Sequence, residues 1–285
     1  MVSFILIRHG ESKDNLRQVW AGWKDSPLSN HGMRQAEALG DDFAQKDISL
    51  SAIYTSDLLR AKTTAKAVRD RQANPNIPFH ESCQLREQNF GVGEGMRMVK
   101  KEKNLSIRQH FAVGKFPVLH TRNGCFPGGE SLDDMAQRAD DVFDKLLSLH
   151  VLQENEDGQA RVVAVFSHGL FIAELVAAII RRDQGTVTVD VRNLRGMSNT
   201  AWTRLEVTAK EVEGGTNSQA PNAAPMGPVF VVRVTGVNRY PHLSNLHRQK
   251  GGIGSLAHDP AQQDIRSFLG GKQKPSTSTT KMKPY

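Results

Sequence analysis

Two histidines stand at the ends of two apolar runs that lie far apart in the sequence. The run Val2–Ile7 leads into Arg8 and His9, and the run Val162–Phe166 leads through a serine into His168. Short β-branched and aromatic runs of this kind are typical of buried strands, and open α/β folds keep ligand sites at the carboxyl ends of their strands. Neutral imidazole is a nucleophile near pH 7, and guanidinium binds phosphate oxygens through paired hydrogen bonds. These residue types therefore favour phosphoryl transfer.

A second arginine and a carboxylate lie between the two histidines. Arg60 follows a strand-like run, and Glu87 follows an extended segment. Phosphoryl transfer requires positioning and stabilisation of charge that spreads over three oxygens. We predict that His9 is the nucleophile and that its other ring nitrogen donates to a backbone carbonyl or a carboxylate. The predicted clamp around the phosphoryl group consists of Arg8, Arg60 and His168. Glu87 is the candidate general acid, which protonates the leaving alkoxide and later takes a proton from water.

Two of these residues also have a purely structural interpretation, and the choice of carboxylate is open. His168 alone is typical of a polar residue that ends a strand. Arg60 has the spacing for a surface ion pair with Asp57. Glu94 stands near Glu87, and the residues alone leave open which of the two carboxylates faces the site.

Four blocks of the chain, in this order, resemble the histidine phosphatase superfamily, also called the phosphoglycerate mutase-like family. They are Arg8–Ser12, Ser56–Ala65, Leu85–Gly91 and Ser167–Gly169. The resemblance extends from Phe4 to about Asn199 and implies the same five catalytic residues: His9, Arg8, Arg60, Glu87 and His168. It also implies that the phosphate and substrate pocket is formed by Gly10, Glu11, Ser12, Asn15, Ala21, Gly22, Gly169 and Asn199.

Two departures separate the chain from the glycolytic mutases of this family. Residues 13–15 are Lys-Asp-Asn where the mutases have tryptophan-asparagine, and residues 88–127 lack the mutases' lysine-rich and proline-rich insertion. Residues 90–95 and 126–131 instead resemble the fructose-2,6-bisphosphatase-like regulators of glycolysis and apoptosis. The resemblance favours a metal-independent phosphatase with a phosphohistidine intermediate, acting on a small metabolite, preferably a sugar phosphate or bisphosphate. The alternatives are a phosphoglycerate mutase, or an interaction protein with an accessory phosphatase domain.

Strands that alternate with helices predict an α/β fold with three layers, α/β/α, and a mostly parallel central sheet. Residues 91–127 break this alternation and are predicted to form a small helical cap over the site; a solvated basic helix is the alternative. Five basic residues of this insertion favour more than one phosphate on the substrate: Arg97, Lys100, Lys101, Lys103 and Arg108. The other predicted elements are a helix that Ser29 caps and that ends near Gln45, strands at 52–55, 200–207 and 229–237, helices at 57–72 and 170–180, and a helix that begins at a capping box of Ser131 and Asp134.

Residues 1–240 are predicted to form the histidine phosphatase domain, with a flexible loop at about 213–227. Residues 241–285 are predicted to form a basic extension, because they carry +5 of the net charge of +7, and the end of this extension is predicted to be disordered. Part of the extension is predicted to dock on the domain through apolar residues: Leu243, Leu246, Ile253, Leu256, Ile265, Phe268 and Leu269. Residues 262–269 also resemble a sliding-clamp-binding box, which would give the tail a protein partner; a short amphipathic turn or plain disorder is the alternative.

Composition sets limits on the class of protein. The 285 residues, 38% of them hydrophobic, suffice for one large domain or two small ones. The first apolar run is too short for a signal peptide or a membrane span. Cys83 and Cys125 form no metal or disulfide pattern and fit a reducing compartment. We therefore expect a small phosphorylated substrate, no metal, no cofactor, no membrane contact and no nucleic-acid partner, in the cytosol with access to the nucleus.

Overall fold

The computed structural model describes residues 1–153, 161–184, 196–210 and 229–261. Within these ranges the strands are β1 (Val2–Arg8), β2 (Ala52–Ser56), β3 (Phe79–Ser82), β4 (Met98–Val99), β5 (Phe116–Pro117), β6 (Arg161–Ser167), β7 (Trp202–Lys210) and β8 (Val229–Arg239). The α-helices are α1 (Asn30–Gln45), α2 (Leu59–Arg69), α3 (Ile107–Ala112), α4 (Leu132–Val142), α5 (Ser148–Leu152) and α6 (Gly169–Ile180). A π-helical segment, Phe143–Leu147, joins α4 to α5. The predicted loop at 213–227 and residues 262–285 lie outside the described ranges.

The central sheet explains how distant parts of the chain reach one edge. Its strand order is β3-β2-β6-β1-β7-β8. The first four strands pair in parallel, and β7 pairs antiparallel with both β1 and β8. In the pairing of β1 with β6, Arg8 lies opposite Ser167. The backbone N–H of His9 donates to the carbonyl of Ser167 at 3.0 Å. His9 and His168 therefore meet at the carboxyl edge, and the predicted α/β fold with a mostly parallel sheet is confirmed.

Both faces of the sheet are covered. Side chains of successive strand residues point to opposite faces, so Phe4 and Leu6 pack against α4 and α6. Ile5 and Ile7 pack in a second core against α1 and α2. All four side chains are at most 1% exposed, and each stabilises the fold by about 1.5–3 kcal/mol relative to an exposed side chain. Burial on two faces is why β1 is an unbroken apolar run rather than an alternating one.

The predicted helix starts are confirmed at two positions and shifted at a third. The side chain of Ser29 caps α1, and Ser131 with Asp134 forms the predicted capping box of α4. Helix α2 begins at Leu59, two residues later than predicted. The reason is a contact between distant residues, because the backbone N–H of Leu59 donates to Oδ1 of Asp25 at 2.8 Å.

The insertion at 91–127 contains little helix. Its described elements are the six-residue α3 and the two-stranded sheet of β4 and β5, and aromatic packing holds them together. This aromatic cluster consists of Trp20, Phe90, Phe116 and Phe126. Arg122 ties the insertion to α6 through an ion pair with the buried carboxylate of Glu174 at 3.0 Å. The insertion therefore contacts the body of the domain both through the aromatic cluster, which includes Trp20, and through the ion pair of Arg122 with Glu174.

Residues 241–261 of the predicted extension pack on the domain beside the start of α1. The carbonyl of Leu256 accepts a hydrogen bond from the backbone N–H of Asn30 at 2.9 Å. Arg248 forms an ion pair with the carboxylate of Glu11, in the loop that follows β1. The extension therefore contacts the segment that carries the predicted nucleophile.

Polar contacts contribute much of what holds this segment in place. The side chains of Ile253 and Leu256 are 51% and 53% exposed, although their backbone carbonyls accept hydrogen bonds from Asn30. The other end of the segment is held by a contact of 2.9 Å between Nε2 of His242 and Oγ1 of Thr200. Of the apolar residues predicted to dock, Leu243 and Leu246 are half-buried, Ile253 and Leu256 are exposed, and Ile265, Phe268 and Leu269 lie outside the described ranges.

We expect a chain that ends at Tyr240 to unfold at a lower temperature than a chain that ends at Gly270. The shorter chain loses the contacts of Arg248 and Leu256, whereas the longer chain keeps them. A loss of about 1–2 kcal/mol would lower the midpoint of thermal unfolding by roughly 2–4 °C per kcal/mol for a domain of this size. Differential scanning calorimetry of the two chains measures this difference. Equal midpoints would mean that the extension does not stabilise the domain.

In the described part of the chain, no helix has the length and apolar character that crossing a membrane requires.

Candidate active site

His9 follows the last residue of β1 and is 4% exposed. Its Nδ1 lies 2.7 Å from the carbonyl oxygen of Gly10. Because a carbonyl oxygen can only accept, Nδ1 carries the proton and Nε2 keeps its lone pair. A Cβ at Gly10 would lie 2.5 Å from the carbonyl oxygen of Gly32, so this loop can cross the start of α1 only with glycine at that position. The backbone therefore fixes the tautomer that a nucleophilic imidazole requires.

His168 lies beside His9, with their ring centroids 5.1 Å apart. Burial, with the charges of Arg60 and Arg8, holds the pKa of His9 well below its usual value. Burial and then Arg60 hold the pKa of His168 well below its usual value as well. Both rings are therefore neutral at pH 7. The expected positive charge of the clamp comes from the arginines and not from His168 in the free protein, because a buried imidazole next to two guanidinium groups loses its proton.

The two ring nitrogens of His168 differ in their surroundings. Nε2 lies 2.9 Å from Oγ of Ser56, at the end of β2. Nδ1 is buried and has no hydrogen-bond partner among the described residues. A buried polar atom without a partner is costly unless a ligand satisfies it. His168 Nδ1 is thus a candidate contact for a phosphoryl oxygen.

Arg60 is buried, with 1% of its surface exposed. Its guanidinium donates to the carbonyl oxygens of Gly22 at 2.7 Å and Lys24 at 3.0 Å. The alternative surface ion pair with Asp57 is wrong, because the carboxylate of Asp57 accepts two hydrogen bonds from Arg86 instead. The long side chain of Arg60 reaches inward and is held by the loop after β1.

Arg8 supplies the second buried guanidinium. Nη1 donates to the carbonyl oxygen of Met197, while the buried Nε has no partner among the described residues. Burial lowers the pKa of Arg8 and of Arg60, and the carboxylate of Glu87 opposes this effect. Guanidinium remains protonated in proteins. Asp14, Asp25 and Glu94 also act on Arg60, but of these carboxylates only Glu87 lines the cavity with the two arginines.

Glu87 lies against the amino terminus of α6. Its Oε1 accepts from the backbone N–H groups of Gln88 at 3.0 Å and Phe171 at 3.1 Å, and its Oε2 accepts from that of Leu170 at 3.2 Å. Backbone N–H groups at the start of a helix favour a carboxylate. Glu87 lines the same cavity as His9.

Glu94, the alternative carboxylate, has a structural role. Its Oε1 accepts from the backbone N–H of Trp23 at 2.7 Å, and that of Phe90 donates to it at 3.3 Å. Glu94 is not among the residues that line the cavity. The structure therefore places Glu87, and not Glu94, at the site.

A cavity of about 410 Å³ opens beside His9. Eight of the predicted site residues line it: Arg8, His9, Asn15, Ala21, Gly22, Arg60, Glu87 and Gly169. Five do not: Gly10, Glu11, Ser12, His168 and Asn199. Gly10 and His168 nevertheless contact or adjoin His9, as described above. The predicted catalytic residues are thus brought together around one cavity.

Glu11, Ser12 and Asn199 support the loop after β1. The Glu11 carboxylate accepts from Oγ of Ser29 at 2.7 Å and from Arg248. Burial raises the pKa of Glu11, but these hydrogen bonds outweigh burial and the pKa lies below its ordinary value. Nδ2 of Asn199 donates to the carbonyl oxygen of His9 at 3.0 Å, and the backbone N–H of Ser12 donates to Oδ1 of Asn15. The placement of these side chains supports a positioning role rather than the predicted contact with substrate.

Several site residues escape sequence reasoning. Ser56 contacts His168, and the available signal is its position at the end of a strand that reaches the same sheet edge. Met197 contributes both its carbonyl and part of the cavity wall. The aromatic ring of Trp20, which packs against Phe90 and Phe126, also lines the cavity.

The basic residues of the insertion lie away from the cavity. Arg97, Lys100, Lys101, Lys103 and Arg108 are all exposed, and none of them lines the cavity. Their position therefore lends no support to a second phosphate on the substrate, which stays a prediction. Solvent already stabilises these charges, so their presence says little about the substrate.

The comparison with known protein families agrees with this arrangement of residues. Residues 4–214 match the histidine phosphatase superfamily (branch 1). The chain belongs to this family. The match covers all the catalytic residues predicted above.

Relatives of known name are mutases and phosphatases. The 2,3-bisphosphoglycerate-dependent phosphoglycerate mutase of Bradyrhizobium sp. (strain ORS 278) is 29% identical over 176 residues, which cover 61% of this chain and 79% of that protein. A solved structure of mycobacterial glucosyl-3-phosphoglycerate phosphatase with VO3 is 25% identical, with a TM-score of 0.55, and covers 73% of this chain and 92% of that one. YhfR of Bacillus stearothermophilus is also 25% identical, with a TM-score of 0.54, and covers 85% of this chain and 100% of that one.

The neutral state of the two buried histidines predicts how stability depends on pH. In the unfolded chain both histidines titrate near pH 6.5, whereas in the folded protein their pKa values are well below that. As the pH falls below about 6.5, the unfolded chain takes up protons that the folded protein does not bind, so the free energy of unfolding decreases. The contribution of the two neutral histidines to the free energy of unfolding is complete above about pH 6.5. It decreases as the pH falls from about 6.5 toward their lowered pKa values in the folded protein.

We expect the double variant His9→Gln/His168→Gln to show a smaller loss of stability between pH 6.5 and 5. Urea unfolding at several pH values measures the slope, which should be shallower in the variant by up to roughly two protons. Parallel slopes for the variant and the wild type would contradict the neutral state of these histidines.

Proposed function

We propose that this protein is a phosphatase that hydrolyses a phosphomonoester of a small metabolite through a phosphohistidine at His9. The observation that carries the proposal is the nucleophilic geometry of His9. Its tautomer is fixed by Gly10, its ring is neutral, and the buried guanidinium groups of Arg8 and Arg60 lie beside it. The likeness to a mycobacterial glucosyl-3-phosphoglycerate phosphatase supports the same reaction type.

The reaction has two steps. In the first, Nε2 of His9 attacks phosphorus while the bond from phosphorus to the leaving oxygen breaks, and Glu87, whose carboxylate takes up a proton when the anionic ester binds beside it, gives that proton to the leaving oxygen. In the second, Glu87 takes a proton from water, the water oxygen attacks phosphorus, and the phosphorus–nitrogen bond breaks. Inorganic phosphate leaves, and both residues return to their starting states. Arg8 and Arg60 stabilise the charge on the phosphoryl oxygens in both steps.

The proposal is tested by phosphate release from a panel of phosphate esters, with 4-nitrophenyl phosphate as the general substrate. Release of phosphate from at least one ester is expected, together with a burst of 4-nitrophenolate equal to the enzyme concentration or with trapped phosphoenzyme. Absence of release from every ester would contradict the proposal.

Phosphatase activity is expected to survive excess EDTA. The charge that many phosphoryl-transfer enzymes take from Mg²⁺ is supplied here by two buried arginines. Among the described residues, no group of three or more His, Cys, Asp or Glu side chains is arranged to hold a metal ion. A large loss of activity that Mg²⁺ or Zn²⁺ restores would contradict the assigned role of Arg8 and Arg60.

A phosphoglycerate mutase is the second candidate, because the curated relatives at 28–29% identity carry that name. In that reaction the same phosphohistidine would return its phosphoryl group to a bound sugar acid instead of to water. Conversion of 3-phosphoglycerate to 2-phosphoglycerate in the presence of 2,3-bisphosphoglycerate distinguishes the two. The closer likeness to fructose-2,6-bisphosphatase-like regulators remains a prediction from residues 90–95 and 126–131, which the substrate panel also tests.

A protein partner for the tail also remains a proposal. Residues 262–269, which resemble a sliding-clamp-binding box, lie outside the described ranges. The packing of residues 241–261 on the domain therefore neither supports nor opposes this role. A pull-down with a sliding clamp tests this separate role.

A further inference from the structure

We infer that the substrate is a monophosphate ester whose alcohol is aromatic or otherwise apolar, rather than a sugar phosphate or a bisphosphate. The inference rests on the proposed function and names the substrate class for that site. It is carried by the wall of the cavity beyond the phosphoryl-binding residues.

That wall is apolar and partly rigid. The loop after β1 contributes Val19 and Trp20, and the insertion contributes Met98, Val118 and Leu119. The wall also includes Phe90, Phe126, Leu132, Leu170 and Met197. The ring of Trp20 lies 4.7 Å from that of Phe90 and 5.2 Å from that of Phe126, measured between centroids. Rings that are already packed against each other lose little entropy when a ligand covers them.

Beyond the phosphoryl-binding residues the wall has five polar side chains: three of them make hydrogen bonds within the protein, and the other two, Thr121 and Cys125, supply one hydroxyl and one weakly polar thiol. The indole N–H of Trp20 donates to the carbonyl oxygen of Phe116 at 2.8 Å. Nε2 of Gln88 donates to the carbonyl oxygen of Glu130 at 2.7 Å. Oδ1 of Asn15 accepts hydrogen bonds from the backbone N–H of Ser12 and from Nδ2 of Asn199. The several hydroxyls of a sugar would leave water for a surface with few remaining partners, and each unmatched polar group costs binding free energy.

Charge also favours one phosphate. Among the described residues, the cationic side chains that line the cavity are Arg8 and Arg60, both beside His9. A second phosphate, or the carboxylate of a sugar acid, would have to lie against the apolar wall. Burying such an anion without a partner is strongly unfavourable. The cavity volume of about 410 Å³ is within the range of small-molecule sites and accommodates one phosphoryl group with a compact apolar group.

The test compares esters whose leaving groups are all primary alcohols, so that their intrinsic reactivity is similar. We expect kcat/KM for 2-phenylethyl phosphate to exceed that for glucose 6-phosphate and fructose 1,6-bisphosphate by roughly 10- to 100-fold, the effect of burying one phenyl group. Equal or higher values for the sugar esters would overturn the inference and leave the phosphatase proposal intact. Phosphate release from none of them, and none from 4-nitrophenyl phosphate, would instead overturn the phosphatase proposal.

A matched pair of variants tests whether the wall is the cause. Val118 lines the cavity and is 47% exposed, so Val118→Lys should fold normally while it places a cation at the wall. Val113 is 62% exposed on the same insertion and does not line the cavity, which makes Val113→Lys the control. Val118→Lys should reduce the preference for 2-phenylethyl phosphate over fructose 1,6-bisphosphate by about 10-fold or more, whereas Val113→Lys should leave it unchanged. The same ratio in both variants and the wild type would overturn the role of the wall.

Discussion

Replacing His9 by alanine is expected to reduce phosphate release by roughly 10⁴- to 10⁶-fold, the range seen when a hydrolase loses its covalent nucleophile. The physical reason is that no other described side chain offers an unprotonated, buried nitrogen with its tautomer fixed at this cavity. Nε2 of His9 has that state because Nδ1 donates a hydrogen bond to the carbonyl oxygen of Gly10 at 2.7 Å, and because burial, with the guanidinium charges, keeps the ring neutral. The measurement is initial-rate phosphate release from 4-nitrophenyl phosphate and from the best ester of the panel.

The same variant should also lose the covalent intermediate. Brief incubation of the wild type with ³²P-labelled substrate and an alkaline quench should leave an acid-labile label on the protein, whereas His9→Ala should carry none. His120→Ala is the matched control, since His120 is an exposed histidine of the insertion and does not line the cavity. Its label should equal that of the wild type. An acid-labile label that persists in His9→Ala would assign the nucleophile to another residue.

The catalytic set could be predicted from the sequence because it sits where regular elements end. A strand has a recognisable start and stop, and parallel strands deliver their last residues to one edge, so the ends of β1 and β6 had to bring His9 and His168 together. The positions of Arg8 and Arg60 could be predicted in the same way, because Arg8 ends β1 and Arg60 lies in the first turn of α2. Local capping rules were equally reliable at Ser29 because a cap depends on residues three positions apart.

The environment of these residues could not be predicted in the same way. The partner of Glu11 is Arg248, which lies 237 positions away in a segment without regular structure. The cavity wall comes from loops of the insertion, such as the one that carries Leu119, where no periodicity indicates which side faces inward. A basic residue such as Lys101 can be recognised from its residue type alone. Membership of the apolar wall depends on which way a side chain points, and the sequence of a loop does not indicate that. The make-up of the cavity wall therefore follows from the tertiary structure, and the candidate catalytic residues from the sequence.

Replacing Glu87 by glutamine is expected to have an effect that depends on the leaving group. Glutamine keeps an oxygen that can accept from the backbone N–H groups of Gln88 and Phe171, but it has no proton to donate to an alkoxide. We expect kcat for an alkyl ester such as 2-phenylethyl phosphate to fall by about 10²-fold or more, the usual contribution of a general acid. With 4-nitrophenyl phosphate the loss should be only a few-fold, because nitrophenolate leaves without protonation.

Glu94→Gln provides the matched control for this result. Glu94 stands seven residues further along the chain and binds the backbone N–H of Trp23, but it does not line the cavity. Glutamine retains the accepting oxygen, so any effect of this substitution should act through the position of the loop and should be equal for the two esters. A plot of log kcat against leaving-group pKa would therefore become steeper in Glu87→Gln and keep its slope in Glu94→Gln. Equal losses on both esters in Glu87→Gln would assign Glu87 a positioning role, and a steeper slope in Glu94→Gln would make Glu94 the proton donor.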